Sequence, residues 1–459
     1  MKNFKHYIYI LAAVSLTVAC KPTITVPASS AATAGSLDLT RYISVGNSLT
    51  AGYADGGLYL AGQQNSYPSI IAKQMAYVNP SLTFSQPLFS ASQANGSGYI
   101  KLTGFDANGN PIPANVTTNL AYVGQATVPG YGTVNLMAKY TGAIDNYGVP
   151  GIKLLHLTSA FYPNVNPFFD RMLSTTSPNN TTNYLSLITS KPFTFFTNWL
   201  GNNDALGYAT GGGGGYTGAD ALTDQTTFTQ LYTLLVSTLT ATGAKGACAT
   251  IPDVTTIPYF TTVTPALLLA GAQAAAQKAN ITPLPAAIYI LASTDAAATA
   301  YSPRAATAAD LVTLTFPTAL LGKPTVDANN NVTNPYPYGL HPYNPIESKY
   351  ILDPNEQALV KTAVTGYNTT IKTIAASKGL AVFDAFAFLT NLKANGLLIN
   401  GVSLTSNYIS GGIFSLDGVH LTPRGYSIVA NEYIKVINAQ YGSTIPQANV
   451  SSYGGVIFP

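Results

Sequence analysis

The chain has 459 residues, of which 8% are charged and 47% are hydrophobic, and its formal net charge is +3. Globular proteins usually carry about 25% charged residues, so this surface must rely on uncharged polar side chains, a composition that suits an exported protein. The small net charge gives no indication of a polyanionic partner, and we expect no nucleic-acid binding, because that function needs a clustered basic face.

The N-terminal segment has the pattern of a bacterial signal peptide that ends in a cysteine. Two lysines precede an apolar run over residues 7–19, which is shorter than the roughly 18 to 20 residues of a membrane-spanning helix. The run ends in Leu-Thr-Val-Ala-Cys, which resembles a lipobox with threonine where leucine is more usual. We predict a signal peptide over residues 1–19 and a lipidated Cys20; a chance cysteine is the alternative. The protein would then be exported and anchored to a bacterial membrane, with the outer membrane favoured.

The composition also divides the mature chain. Residues 20–38, which begin with the lipidated cysteine, are rich in Pro, Ser, Thr and Ala, so we predict a flexible tether there. A single folded domain is expected over residues 39–459, with insertions at about 79–145 and 259–350, where regular alternation is lost. The first insertion carries a hairpin signal at Asp106–Pro111.

The rest of the domain alternates β-rich runs with amphipathic helical patterns. Strands are predicted at 42–45, 193–200, 245–251 and 380–383, and helices from 67, 228, 355 and 423 onward. This alternation predicts an α/β fold with a parallel sheet covered by helices on both faces. Functional sites in such sheets form at the carboxyl ends of the strands.

Three residues at opposite ends of this domain could form a nucleophilic site. Ser48 follows the first predicted strand in Gly-Asn-Ser-Leu, and Asp417 and His420 lie in Asp-Gly-Val-His before the last helix. A serine oxygen is a poor nucleophile unless an imidazole accepts its proton and a third group orients that imidazole. We predict that Ser48 is the nucleophile, His420 the base and Asp417 the orienting carboxylate.

Five short motifs, in the same order, resemble those of the SGNH or GDSL hydrolase superfamily. They are Gly46–Leu49, Asn146–Gly151, Gly201–Asp204, Ile251–Asp253 and Asp417–His420. Asparagine stands at position 47, where the family usually has aspartate. The resemblance implies a three-layer αβα sandwich, flavodoxin-like, with a central parallel sheet of about five strands. It also implies an oxyanion hole made by the N–H groups of Ser48 and Gly151 and the side-chain amide of Asn203, with no cofactor.

The same resemblance implies a serine esterase or acylhydrolase, a carboxylic ester hydrolase that cleaves an O-acyl ester through an acyl-enzyme on Ser48. A carbohydrate O-acetylesterase is an alternative within the enzymes, and a non-catalytic glycan-binding surface lipoprotein is the alternative from another class. The expected partners are a small-molecule, glycan or lipid ester and, through the N-terminal lipid, a membrane.

Other conspicuous residues are predicted to be structural. Cys248 lies in an apolar run and is expected to be a buried small hydrophobe, and Trp199 is expected in the core. His156 and His341 are assigned no chemistry, and no cysteine and histidine spacing typical of a metal site occurs. The glycine run 211–215 lacks the Lys-Ser or Lys-Thr of a phosphate-binding loop, so that function is rejected; a mobile rim of the active site and a flexible connector are the two expectations for it.

Overall fold

The computed structural model of the protein describes residues 32–107, 109–213 and 220–459. The predicted signal peptide and Cys20 lie outside these ranges, as do the last two glycines of the 211–215 run. Among the residues that the structure describes, no helix combines the length and the apolar character required to cross a bilayer.

Strands and helices alternate along much of the chain, but in the two insertions several strands follow one another. The strands are β1 (Tyr42–Gly46), β2 (Tyr99–Phe105), β3 (Pro111–Val116), β4 (Tyr122–Val128), β5 (Gly132–Met137), β6 (Asn146–Gly148), β7 (Phe195–Trp199), β8 (Lys245–Ala249), β9 (Tyr289–Ser293), β10 (Tyr301–Ala305), β11 (Leu311–Val312), β12 (Thr325–Val326), β13 (Val332–Asn334), β14 (Ile351–Leu352), β15 (Ala381–Phe383), β16 (Leu397–Ile399) and β17 (Val402–Leu404). The α-helices are α1 (Ser48–Ala51), α2 (Leu60–Gln64), α3 (Tyr67–Met75), α4 (Pro167–Asp170), α5 (Tyr184–Ile188), α6 (Asn203–Thr210), α7 (Gln225–Leu239), α8 (Pro258–Thr261), α9 (Pro265–Lys278), α10 (Pro354–Ser377), α11 (Ala385–Asn395) and α12 (Pro423–Tyr441).

A five-stranded parallel sheet forms the centre, in the order β15-β8-β7-β1-β6. The prediction of an α/β fold built on a parallel sheet is therefore confirmed. Every residue of β1 and β7 is buried, which explains why both strands read as short continuous apolar runs. The sequence pattern did not predict β6, since its three residues are too few to show a period.

Successive residues of β7 contact different helices. Trp199 packs edge-on against Tyr67 of α3 and Tyr433 of α12. Asn198, the preceding residue, donates from its side-chain amide to the hydroxyl of Tyr232 in α7. Because neighbouring strand residues point to opposite faces, the α3–α12 pair and α7 contact the sheet from opposite sides.

The two predicted insertions carry small sheets of their own. The first contains the antiparallel hairpins β2–β3 and β4–β5, and the hairpin predicted at Asp106–Pro111 is confirmed. The second contains α8, α9 and the antiparallel pairs β9–β10 and β12–β13. Leu268, Ile290 and Phe316 belong to a hydrophobic cluster of the second insertion that is distinct from the main core.

The folded unit begins earlier than the composition predicts. Residues from Thr33 onward belong to one compact unit. The Ser36 N–H donates to the carbonyl of Tyr441 at 2.9 Å, and Leu37 is buried. The prediction of a flexible tether is therefore wrong for residues 33–38, because these contacts hold the segment against the end of α12.

Glu356 is a buried carboxyl group in the first turn of α10. Its Oε2 accepts the backbone N–H of Asp353, and its Oε1 accepts the hydroxyl of Tyr301, both at 2.8 Å. Burial, reinforced by the neighbouring Asp353 carboxylate and opposed by these hydrogen bonds, raises the pKa of Glu356 to about 8.

This raised pKa predicts a measurable pH dependence of stability. The folded protein binds the Glu356 proton more tightly than the unfolded chain, where a glutamate pKa is about 4.3, so the free energy of unfolding should fall as the pH rises from 5 to 8. Glutamine does not titrate, so the free energy of unfolding of Glu356→Gln should fall less between pH 5 and pH 8 than that of the wild type, by on the order of 2 to 4 kcal/mol. Urea unfolding of both proteins at pH 5 and pH 8 measures it, and equal pH slopes would contradict the assignment.

Candidate active site

Three neighbouring strands end at the same level of the sheet. Gly46 at the end of β1 pairs with Gly148 of β6 on one side and with Trp199 of β7 on the other. The three predicted oxyanion-hole residues follow the ends of these strands: Ser48, Gly151 and Asn203. The parallel register therefore brings three segments that are distant in sequence to one edge of the sheet.

Ser48 is the first residue of the short helix α1. The side chain of Asn47 caps this helix, because its Oδ1 accepts the N–H of Leu49 at 3.0 Å. Aspartate would offer the same acceptor, so asparagine at this position preserves the turn. A Cβ atom at Gly148 would collide with the backbone nitrogen of Ala51. Glycine there allows α1 to lie directly against β6, which fixes the position of Ser48.

Ser48, His420 and Asp417 form one hydrogen-bonded chain. The Nε2 atom of His420 lies 2.8 Å from Ser48 Oγ, and its Nδ1 atom lies 2.8 Å from Asp417 Oδ2. All three side chains are largely but not completely buried, since Ser48 is 7% exposed and the other two side chains are 13% exposed. The three predicted residues thus have the contacts that a serine nucleophile requires.

Asp417 is held as a carboxylate by the groups around it. Its Oδ1 accepts the N–H groups of Val419 and His420 at 2.9 and 2.8 Å, and its Oδ2 accepts the N–H of Gly56 at 2.8 Å. Burial alone would raise the pKa of Asp417, but the His420 ring and these N–H groups hold it well below its usual value. A charged carboxylate facing Nδ1 keeps the ring proton there and leaves Nε2 as the acceptor for Ser48.

The sequence analysis did not identify Asp55, which joins the two ends of the site. The Asp55 N–H donates to the hydroxyl of Ser415 at 2.9 Å, and its Oδ1 accepts the N–H of Leu416 at 2.9 Å. The Ser415 hydroxyl in turn donates to Asp417 at 3.2 Å. The Asp-Gly-Gly turn at 55–57, soon after the nucleophile, was the available signal for this link.

Tyr53 is a second residue that the motifs did not identify. Its ring lies 4.6 Å from the ring of His420, centroid to centroid, and the two rings are tilted by 45°. This contact packs an aromatic side chain against the proposed base.

Asn203 and Asp204 fix the loop that follows β6. The Nδ2 of Asn203 donates to the carbonyl of Ile152 at 2.9 Å, which uses one of its two hydrogens and leaves the other for a ligand. Both oxygens of Asp204 accept the N–H of Leu154, at 3.0 and 3.3 Å. Gly151 lies at the start of this loop, exposed and with a φ of 81°, a conformation that favours glycine. The predicted amide and glycine therefore adjoin each other through Ile152.

The remaining candidates have structural contacts. The carboxylate of Asp253, in the fourth motif, accepts the N–H of Thr255 and caps a short turn. Cys248 is buried, and burial raises the pKa of its thiol to about 11. His156 and His341 stack on tyrosine rings. Within the described ranges, no group of three or more His, Cys, Asp or Glu side chains could hold a metal ion.

A large cleft opens beside the His420 ring. Its volume is about 1200 Å³, and Tyr53, Asp417, Val419 and His420 are among its lining residues. The remaining lining residues come mainly from the β2–β3 hairpin and from the second insertion. Both segments that interrupt the strand–helix alternation therefore lie next to the triad.

No family model matches the chain, and no curated protein matches it. The function must therefore be inferred from the motifs and from the geometry of the site.

Proposed function

We propose that the protein is a serine esterase of the SGNH or GDSL type, which hydrolyses an O-acyl ester through an acyl-enzyme on Ser48. The observation that carries this proposal is the unbroken hydrogen-bonded chain from Ser48 Oγ through the His420 ring to Asp417. A glycan-binding protein without activity would have no need for that chain, so this alternative is not favoured.

The reaction would proceed in two halves. Ser48 Oγ attacks the ester carbonyl carbon while its proton moves to His420 Nε2, and the N–H groups of Ser48 and Gly151 with the Asn203 amide receive the negative oxygen. The tetrahedral species then breaks its bond to the alcohol oxygen, which takes the proton from His420. A water molecule, deprotonated by His420, attacks the acyl-enzyme and releases the carboxylic acid and free Ser48.

The topology supports the finer assignment of the fold. Numbered along the chain, the five central strands lie in the order 2-1-3-4-5, which is the flavodoxin-like order. Together with the contacts of α3, α12 and α7 on opposite sides of β7, this order supports a three-layer αβα sandwich. In such sheets ligands bind where the strand order reverses, beside the first strand, and Ser48 follows that strand. Export and lipid anchoring at Cys20 stay predictions from the N-terminal pattern.

A covalent probe tests the proposed nucleophile directly. We expect a fluorophosphonate, which reacts with activated serines, to attach to one residue per chain, and peptide mass spectrometry should locate it at Ser48. Ser48→Ala and His420→Ala should both abolish the adduct. Ser186→Ala, at an exposed serine of α5, is the matched control and should react like the wild type. An adduct spread over several serines, or one that survives Ser48→Ala, would refute the proposal.

A further inference from the structure

The lining of the cleft beside the triad is mainly apolar. Gly271, Ala272 and Ala275 of α9 and Ile100 of the β2–β3 hairpin are among the lining residues. Leu102 of the same hairpin packs in one cluster with Leu416, the residue before Asp417, so the hairpin is fixed to the catalytic loop. The volume of about 1200 Å³ exceeds the 300 to 1,000 Å³ of ordinary small-molecule sites and is far larger than an acetyl group requires.

Four of the hydroxyl groups that line the cleft already use their hydrogens within the protein. The hydroxyls of Tyr53 and Tyr408 donate to backbone carbonyls at 2.7 Å. The hydroxyls of Thr210 and Thr262 donate to the carbonyls of the residues four positions earlier, at 2.9 and 2.7 Å. Each hydroxyl has only one hydrogen to donate, so these four side chains have none left to donate to a ligand and can act toward it only as acceptors.

Few charged groups face the cleft. Of the lining residues in the described part of the chain, only Asp106, Asp417 and His420 have a carboxylate or an imidazole, and two of these belong to the triad. A glycan must replace its hydrogen bonds to water with bonds to the protein, or else lose affinity. An aliphatic chain makes no hydrogen bonds to water, and its transfer from water into an apolar cleft is favourable.

We propose that this cleft binds the long aliphatic chain of a fatty acyl ester, with the chain lying along α9 and the ester group at Ser48. This inference rests on the proposed function of Ser48 and selects its substrate class. It favours a long-chain acyl ester over an acetylated carbohydrate.

A chain-length series tests the proposal. On p-nitrophenyl esters of 2, 4, 8 and 12 acyl carbons, each buried methylene can raise kcat/KM by up to about fourfold. We expect the wild type to prefer 12 carbons over 2 by at least about 100-fold. Ala272→Phe should lower that ratio at least tenfold, because the ring fills the groove, and Ala275→Phe provides a second variant at the same wall. Ala270→Phe is the matched control, since Ala270 is exposed on α9 and does not line the cleft. The control should keep the wild-type ratio.

A binding measurement separates this inference from the proposed catalysis. In the Ser48→Ala background, we expect calorimetry to detect binding of dodecanoate. Adding Ala272→Phe should raise the Kd for dodecanoate at least tenfold. Binding without hydrolysis of any ester would support the cleft assignment and refute the esterase. Ser48-dependent hydrolysis of p-nitrophenyl acetate, with no dodecanoate binding and with faster turnover of acetylated xylan than of the 12-carbon ester, would overturn the cleft assignment and leave the esterase standing.

Discussion

An Asp417→Asn variant is expected to lose about 10⁴-fold in kcat for ester hydrolysis while it keeps its fold. The carboxylate of Asp417 accepts hydrogen bonds from His420 Nδ1 and from three backbone N–H groups. An asparagine must direct its NH₂ group toward one of these donors. If that group faces Nδ1, the ring proton moves to Nε2, and His420 can no longer accept the proton of Ser48.

Steady-state kinetics on a p-nitrophenyl ester measure this loss, and near-ultraviolet circular dichroism checks the fold. Asp253→Asn is the matched control, because this carboxylate also follows a motif of the family but caps a turn. We expect the control to stay within about twofold of the wild type. A kcat of Asp417→Asn within tenfold of the wild type would exclude Asp417 as the orienting group.

An Asn203→Ala variant should lose about 100- to 1,000-fold in kcat, with a much smaller change in KM. The second hydrogen of the Asn203 amide is free, and a donor aimed at the developing oxyanion acts mainly in the transition state. The substitution also removes the bond to the carbonyl of Ile152. If that bond were the main role of Asn203, the loop would shift, and the thermal midpoint and KM would change together.

Asn65→Ala gives the comparison for this variant. The Asn65 amide donates to the carbonyl of Ala61 in an exposed position, so its loss removes a similar hydrogen bond far from any proposed donor to the oxyanion. The kcat of this control should match that of the wild type. If Asn203→Ala loses less than tenfold in kcat, the Asn203 amide is not part of the oxyanion hole.

Local patterns predicted the parts of this protein that depend on local physics. The apolar runs at β1, β7 and β8 and the capped amphipathic helices α7, α10 and α12 were visible because burial imposes a period on the sequence. The triad residues were visible because their motifs are short and contiguous. The distances of 2.8 Å that join Ser48, His420 and Asp417 are consistent with that prediction.

Long-range contacts account for what the patterns missed. Asp55 bonds to Ser415 and Leu416 across about 360 positions, and no local spacing reports such a pairing. The burial of Leu37 depends in the same way on a helix at the other end of the chain. The cleft required the β2–β3 hairpin and α9 to meet beside His420, and nothing in either segment alone specifies that meeting.

The separate hydrophobic cluster of the second insertion has a consequence for protein engineering. Leu268 packs α9 into that cluster and not into the main core. The α9 side of the cleft and the central strands that position the triad therefore belong to separate hydrophobic clusters. Substitutions at sites without shared neighbours usually combine additively. We therefore expect that exchanging α9 together with its small cluster would alter the cleft while Ser48 and its hydrogen-bond partners stay in place.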